Sequence, residues 1–173
     1  MRNRRGLFAG MQSGRLSGFV PYKGTKDLPN AGRISRFIRN FVDMKVALCQ
    51  FSMEWEAAAR NLRRAEELVA QAGADLALLP EMFATGFCTD PAAVAEPAEG
   101  GAILGAMRRW AARCGCAVAG SVAVAAPEGF RNRMYFVEPS GRTTHYDKRH
   151  LFSPGGEARG YLPGERRVVV RYR

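Results

Sequence analysis

The chain has 173 residues, of which 47% are hydrophobic and 24% charged. That is enough to bury one sizeable core, and the balance is ordinary for a globular domain. No apolar run approaches the roughly 18 residues a spanning helix needs, which excludes a membrane helix and leaves no membrane partner to explain. The net charge of +10 invites a nucleic-acid partner, but residues 1–43 carry nine Lys/Arg against two acids, and the remainder seventeen against fourteen. The excess sits in the N-terminal segment, so the bulk charge argues against nucleic acid as the partner of the folded part.

Residues 1–43 show no helical or strand periodicity, are rich in Arg, Gly and Ser, and contain Pro21, Gly24, Pro29 and Gly32. They read as a disordered basic leader, or as upstream sequence translated from an early start, because Met44 opens a clean strand. That strand runs Met44–Phe51. A helix is expected from about Glu54 to Ala72, with Leu62, Ala65, Val69 and Ala72 on one face and Gly73 as its terminator. Leu76–Leu79 follows as a short apolar run without alternation, the pattern of a strand covered on both faces. Pro80 cannot donate to a ladder and ends it. The parallel return makes a βαβ unit.

Asp90–Gly101 reads as a loop. A second helix is marked by Ile103, Leu104, Met107, Trp110, Ala111 and Cys114, with Gly115 ending it. Ala117–Val124 and Asn132–Val137 are strands, and Pro139–Arg142 is a turn that returns the chain through Thr143–Lys148 as a hairpin. A Gly/Pro-rich loop spans Ser153–Gly164, and Arg167–Tyr172 reads as one more strand. The order is that of an α/β domain with helices packed on a sheet.

Three places carry residues with chemistry. Glu81 stands at the mouth of the buried strand, where open α/β sheets gather ligands. The apolar Met82 and Phe83 beside it would suit a general base, while the plainer reading is an acid in a turn. In Tyr146-Asp147-Lys148-Arg149-His150, alternation puts Tyr146, Lys148 and His150 on one face. Lys148 is then either an oxyanion-stabilising cation or part of a solvated basic edge. Glu157 is by itself a loop acid. The cysteines Cys49, Cys88, Cys114 and Cys116 have neither framework nor zinc spacing and fit a reducing, cytoplasmic setting.

These residues, taken together, resemble the nitrilase superfamily, the carbon–nitrogen hydrolases, and most closely its omega-amidase branch. The likeness is carried by Lys45–Gln50, Asn61, Leu78-Leu79-Pro80-Glu81-Met82-Phe83 with Thr85-Gly86-Phe87, Gly120-Ser121, Arg131-Asn132, Tyr146–Phe152, and Gly156-Glu157 ahead of Tyr161 and Gly164. The resemblance implies an α-β-β-α sandwich, of which residues 44–173 would be the N-terminal half. It also implies hydrolysis of the amide of a small omega-amidated carboxylic acid through a cysteine thioester, without cofactor or metal, in a protein that can form homo-oligomers. It places the general base on Glu81, the oxyanion-stabilising lysine on Lys148 and a substrate-positioning glutamate on Glu157. None of the four cysteines matches the family's nucleophile, which would follow the strand at Arg167–Tyr172, so a truncated and inactive chain is expected. The competing expectation is a catalytically dead interaction module whose basic N-terminus contacts nucleic acid.

Overall fold

The computed structural model describes residues 44–173. The leader expected over 1–43, and the nucleic-acid contact assigned to it, lie outside the described residues. Among the described residues six strands form one sheet: β1 (Val46–Leu48), β2 (Leu76–Leu78), β3 (Glu96–Pro97), β4 (Ala117–Ala126), β5 (Gly129–Val137) and β6 (Thr143–Asp147). Their order is β1-β2-β4-β5-β6, with the two-residue β3 pairing the far part of β4. β1, β2 and β4 are parallel neighbours, and β4-β5-β6 is an antiparallel meander. Two helices, α1 (Ala58–Gln71) and α2 (Ala102–Cys114), make the two parallel crossovers. This is the mixed α/β sheet expected of a partial sandwich.

Both helices press into one cluster on one sheet face. Ala65 and Val69 of α1 and Ile103, Leu104, Met107, Trp110 and Ala111 of α2 pack with Val118, Val122, Val124, Tyr135 and Val137. The helices end as their glycines dictate, with Gly73 and Gly115 at φ +49° and +61°, a conformation other residues adopt only under strain. Glu96 caps the opposite end of α2, both its carboxylate oxygens lying 2.9 Å from the Ile103 N–H.

The differences from the expected elements have physical causes. α1 begins at Ala58 and not near Glu54, because Glu54–Ala57 form a turn, with Glu56 at φ +53°. Only Val46–Leu48 of the first strand joins the ladder. Leu76 and Leu78 are half-buried while Ala77 and Leu79 are buried, so β2 is covered fully on the helix side alone. Arg167–Tyr172 is not a strand: it pairs with no neighbour among the described residues, and Val169 is 77% exposed. It is held by side chains. Tyr172 donates its hydroxyl to the Asp75 carbonyl and packs edge-on against Phe136, and Arg173 pairs with the Asp75 carboxylate.

Upstream of that tail, Tyr161–Gly164 straps the splayed ends of β5 and β6. Leu162 N–H donates to the Phe130 carbonyl (2.8 Å), and Gly164 N–H to that of Lys148 (2.9 Å). A Cβ on Gly164 would run into the main chain of Asp147. Gly164→Ala is therefore expected to destabilise the fold by about 1–3 kcal/mol, as overpacking does. A denaturant melt matching the wild type would show that the strap gives way freely.

Candidate active site

Glu81 owes its position to the turn behind it. Leu79 N–H bonds the Ala119 carbonyl, Pro80 then leaves the ladder, and Met82 takes φ +51°, with its N–H donated to Ser121 Oγ at 2.9 Å. Positive φ on an unbranched non-glycine residue is uncommon, and here the contacts around the turn hold it in place. The two side chains after Glu81 are driven in different directions. Phe83 enters the helix-side core near Trp110, and Met82 enters a second cluster with Ala123 and Tyr161. A buried Asn61 staples the same turn, donating Nδ2 to the carbonyls of Ala84 (2.8 Å) and Glu54 (2.7 Å).

Lys148 lies one residue beyond β6. Its N–H donates to the Asn132 carbonyl at 2.9 Å, and Nζ reaches Glu81 Oε1 at 2.7 Å and Glu157 Oε2 at 2.9 Å. Nζ also stands 5.5 Å from the centre of the Phe87 ring, within cation–π range. The alternation holds: Asp147 points to the other face and pairs bidentately with Arg133 at 2.6 and 2.9 Å. His150 is exposed, and the N–H of Arg149 donates to the Tyr146 hydroxyl.

Glu157 follows Gly156, whose φ of +78° turns the chain inward into a short 3-10 turn. Its side chain is fully buried and both its oxygens are engaged, by Asn132 Nδ2 (2.9 Å), Lys148 Nζ (2.9 Å) and the Phe152 N–H (2.6 Å). Asn132, 2% exposed, also donates to Glu81 Oε1 at 2.7 Å. The structure thus brings Glu81, Lys148 and Glu157 into one network and adds Asn132. The sequence marked Asn132 only as part of a matching block. A polar residue on the inward side of a strand otherwise carrying Phe130, Met134 and Phe136 was the available signal.

The network borders an open cleft of about 430 Å³ lined by Met53, Pro80, Glu81, Phe87, Lys148 and Phe152. Glu81 is not the buried acid the sequence suggested. Its side chain is 49% exposed, because Met82 and Phe83 turn away from it and do not wall it in. The sealed acid is Glu157. Burial alone would push its carboxyl up, but the hydrogen bonds from Asn132, the Phe152 amide and Lys148 outweigh this and hold it below the usual range. Lys148 is likewise opposed by burial yet held above the usual lysine range by its bonds to Glu81 and Glu157. No cysteine lines the cleft. Cys88 is buried and donates to the Asp90 carbonyl, and burial pushes the Cys49 thiol up to about 11. No helix among the described residues is long and apolar enough to cross a membrane.

Comparison with known proteins places the chain in a family. The carbon-nitrogen hydrolase model matches residues 45–172. Omega-amidase YafV of Yersinia enterocolitica is 39% identical over 131 residues, and that of Escherichia coli strain K12 is 37% identical over 131; each alignment covers 75% of this chain and 50% of the relative. The crystal structure of XC1258 from Xanthomonas campestris, a CN-hydrolase superfamily protein with an arsenic adduct in its active site, superposes with a TM-score of 0.69 at 34% identity. It covers 75% of this chain and 49% of that one. The chain therefore spans about half the length of the curated relatives it matches.

Two predictions follow from burial and charge. Glu157→Gln is expected to cost about 3–5 kcal/mol, because it breaks a buried ion pair. Glu81→Gln should cost less than about 1 kcal/mol, its carboxylate being half exposed. Equal losses in a urea melt would contradict the assigned burial. The second concerns pH. Glu157 ionises at lower pH folded than unfolded, so its stabilisation is complete above the ordinary value of 4.5 and drains away as pH falls below it. Lys148 has the opposite sense, its contribution intact below the ordinary 10.5 and lost only above. Melting temperature should therefore fall below about pH 4.5, and less steeply in Glu157→Gln; parallel acid limbs would argue against the linkage.

Proposed function

The chain belongs to the carbon–nitrogen hydrolase family, and we propose that its cleft serves the hydrolysis of the amide of a small omega-amidated carboxylic acid to carboxylate and ammonia. The observation that carries this reading is the position of Lys148 Nζ, 2.7 Å from Glu81 and 2.9 Å from Glu157 at the floor of the cleft. Amide hydrolysis needs a proton acceptor for the nucleophile and a cation facing the oxyanion. In this reading Glu81 is the acceptor, Lys148 the cation and Glu157, sealed behind the cleft, the anion that fixes the lysine and positions the amide only through it. The named omega-amidases supply the substrate class.

The nucleophile is the part these residues do not supply. In the covalent route a thiol gives its proton to Glu81 and attacks the carbonyl carbon. The C–N bond breaks as the nitrogen takes that proton and leaves as ammonia, and water then hydrolyses the thioester. None of the four cysteines stands at the cleft, so residues 1–173 alone are proposed to bind the amide without turning it over.

The test combines binding with turnover. Titrating 2-oxoglutaramate into the chain should give saturable NMR shifts at Phe87, Lys148 and Phe152, lost in Lys148→Ala, and no ammonia above that variant's background. Absence of binding, or binding indifferent to Lys148→Ala, would count against the site. Ammonia release well above the control would contradict the missing nucleophile.

A further inference from the structure

We infer that Asn132 is a positioning residue that divides the work between the two carboxylates: its amide holds Glu81 and Glu157 at once and leaves Glu81 Oε2 as the oxygen open to a proton. The inference rests on the reading of Glu81 as the base. It adds which atom acts and what selects it.

The argument is a count of donors and acceptors. An amide nitrogen has two hydrogens, and Asn132 Nδ2 sends one to Glu81 Oε1 at 2.7 Å and the other to Glu157 Oε1 at 2.9 Å. The nitrogen must be the atom facing them, since a carbonyl oxygen would confront two anions. Glu157 Oε2 accepts from Lys148 Nζ and from the Phe152 N–H. Glu157 Oε2 is filled by those two donors, and Oε1, which accepts from Asn132 alone, is sealed from water and does not line the cleft, so its remaining lone pair has no route to a proton. Glu81 Oε1 is also engaged twice, by Lys148 and Asn132. Among the described residues Glu81 Oε2 accepts nothing, and Glu81 lines the cleft. Among the described residues Glu81 Oε2 is thus the one carboxylate oxygen of the network that is both free of donors and carried by a residue lining the cleft.

Asn132 can do this because its main chain is fixed as well. It pairs with Ala123 of β4, and its carbonyl accepts the Lys148 N–H. One residue therefore sets the rotamer of the base, the charge of the second glutamate and the height of the lysine. It touches no reacting atom and acts through Glu81.

Side-chain NMR on the 173-residue chain tests this without turnover, so its failure is separate from a failure of amide binding. The two Asn132 amide protons are expected as a widely separated pair protected from exchange, and Glu81→Gln should move one of them and leave the other in place. A freely exchanging pair, or one indifferent to Glu81→Gln, overturns the inference. In Asn132→Leu the Glu157 carboxyl carbon should titrate at higher pH than in the wild type, with Lys148, Glu81 and Tyr161 the titratable groups facing it. A purely structural residue would lower the melting temperature and leave that titration unmoved, which would also overturn it. Should Asn132→Leu fail to fold, the amide pair decides.

Discussion

The site depends on a single ammonium group shared by two carboxylates. Without Lys148, Glu81 and Glu157 would be like charges tied to the same Asn132 amide, and like charges that close drive one of the pair to protonate. With Nζ at hydrogen-bond distance from both, that repulsion is offset by a shared counter-charge. The lysine in turn is held where it is by main-chain bonds: its N–H goes to Asn132, and its carbonyl takes the Gly164 N–H. Charge and backbone geometry are therefore coupled, and neither glutamate is an independent group.

The two acids differ because the chain delivers them differently. Glu81 arrives at a strand end, on a turn whose next two side chains are anchored in separate apolar clusters, so it is left projecting into the cleft. Glu157 arrives on an inward turn after Gly156 and is sealed. One environment leaves a carboxylate open to proton exchange and the other fixes it as an anion. Pairs of acids set apart by surroundings in this way are how a site assigns different tasks to the same functional group.

Much of the fold was legible because its signals are local. The α2 periodicity, the terminating glycines at 73 and 115 and the turn at Gly141 each follow from nearest neighbours along the chain, and each stands as expected. The convergence of Glu81, Lys148 and Glu157 was legible only through resemblance, since nothing local says that residues 67 positions apart meet. Two readings failed for the same reason. The burial of Glu81 was inferred from Met82 and Phe83 as neighbours in sequence, yet a turn at positive φ sends those side chains elsewhere. The strand at Arg167–Tyr172 was inferred from Val168–Val170, yet β-propensity expresses fit to a pleated, half-covered surface more than a commitment of the backbone. Asn132 stands out in the sequence only within a matching block, because a lone amide in a strand announces no chemistry without its partners.

The same physics explains why β2 looked buried on both faces. Register and alternation put Leu48, Leu78, Ala119, Phe136 and Thr144 in one row across the sheet, on the face opposite the helices and on the same side as Asn132. Apart from Thr144 that row is apolar in sequence, but among the described residues only the small Ala119 in it is fully covered, and Leu48 is 70% exposed. The row lies four residues along β5 from Asn132 and none of its members lines the cleft, so it belongs to the sheet and not to the site. Leu76–Leu79 lacks alternation because both faces of β2 carry apolar side chains, and a sequence does not tell a covered face from an open one.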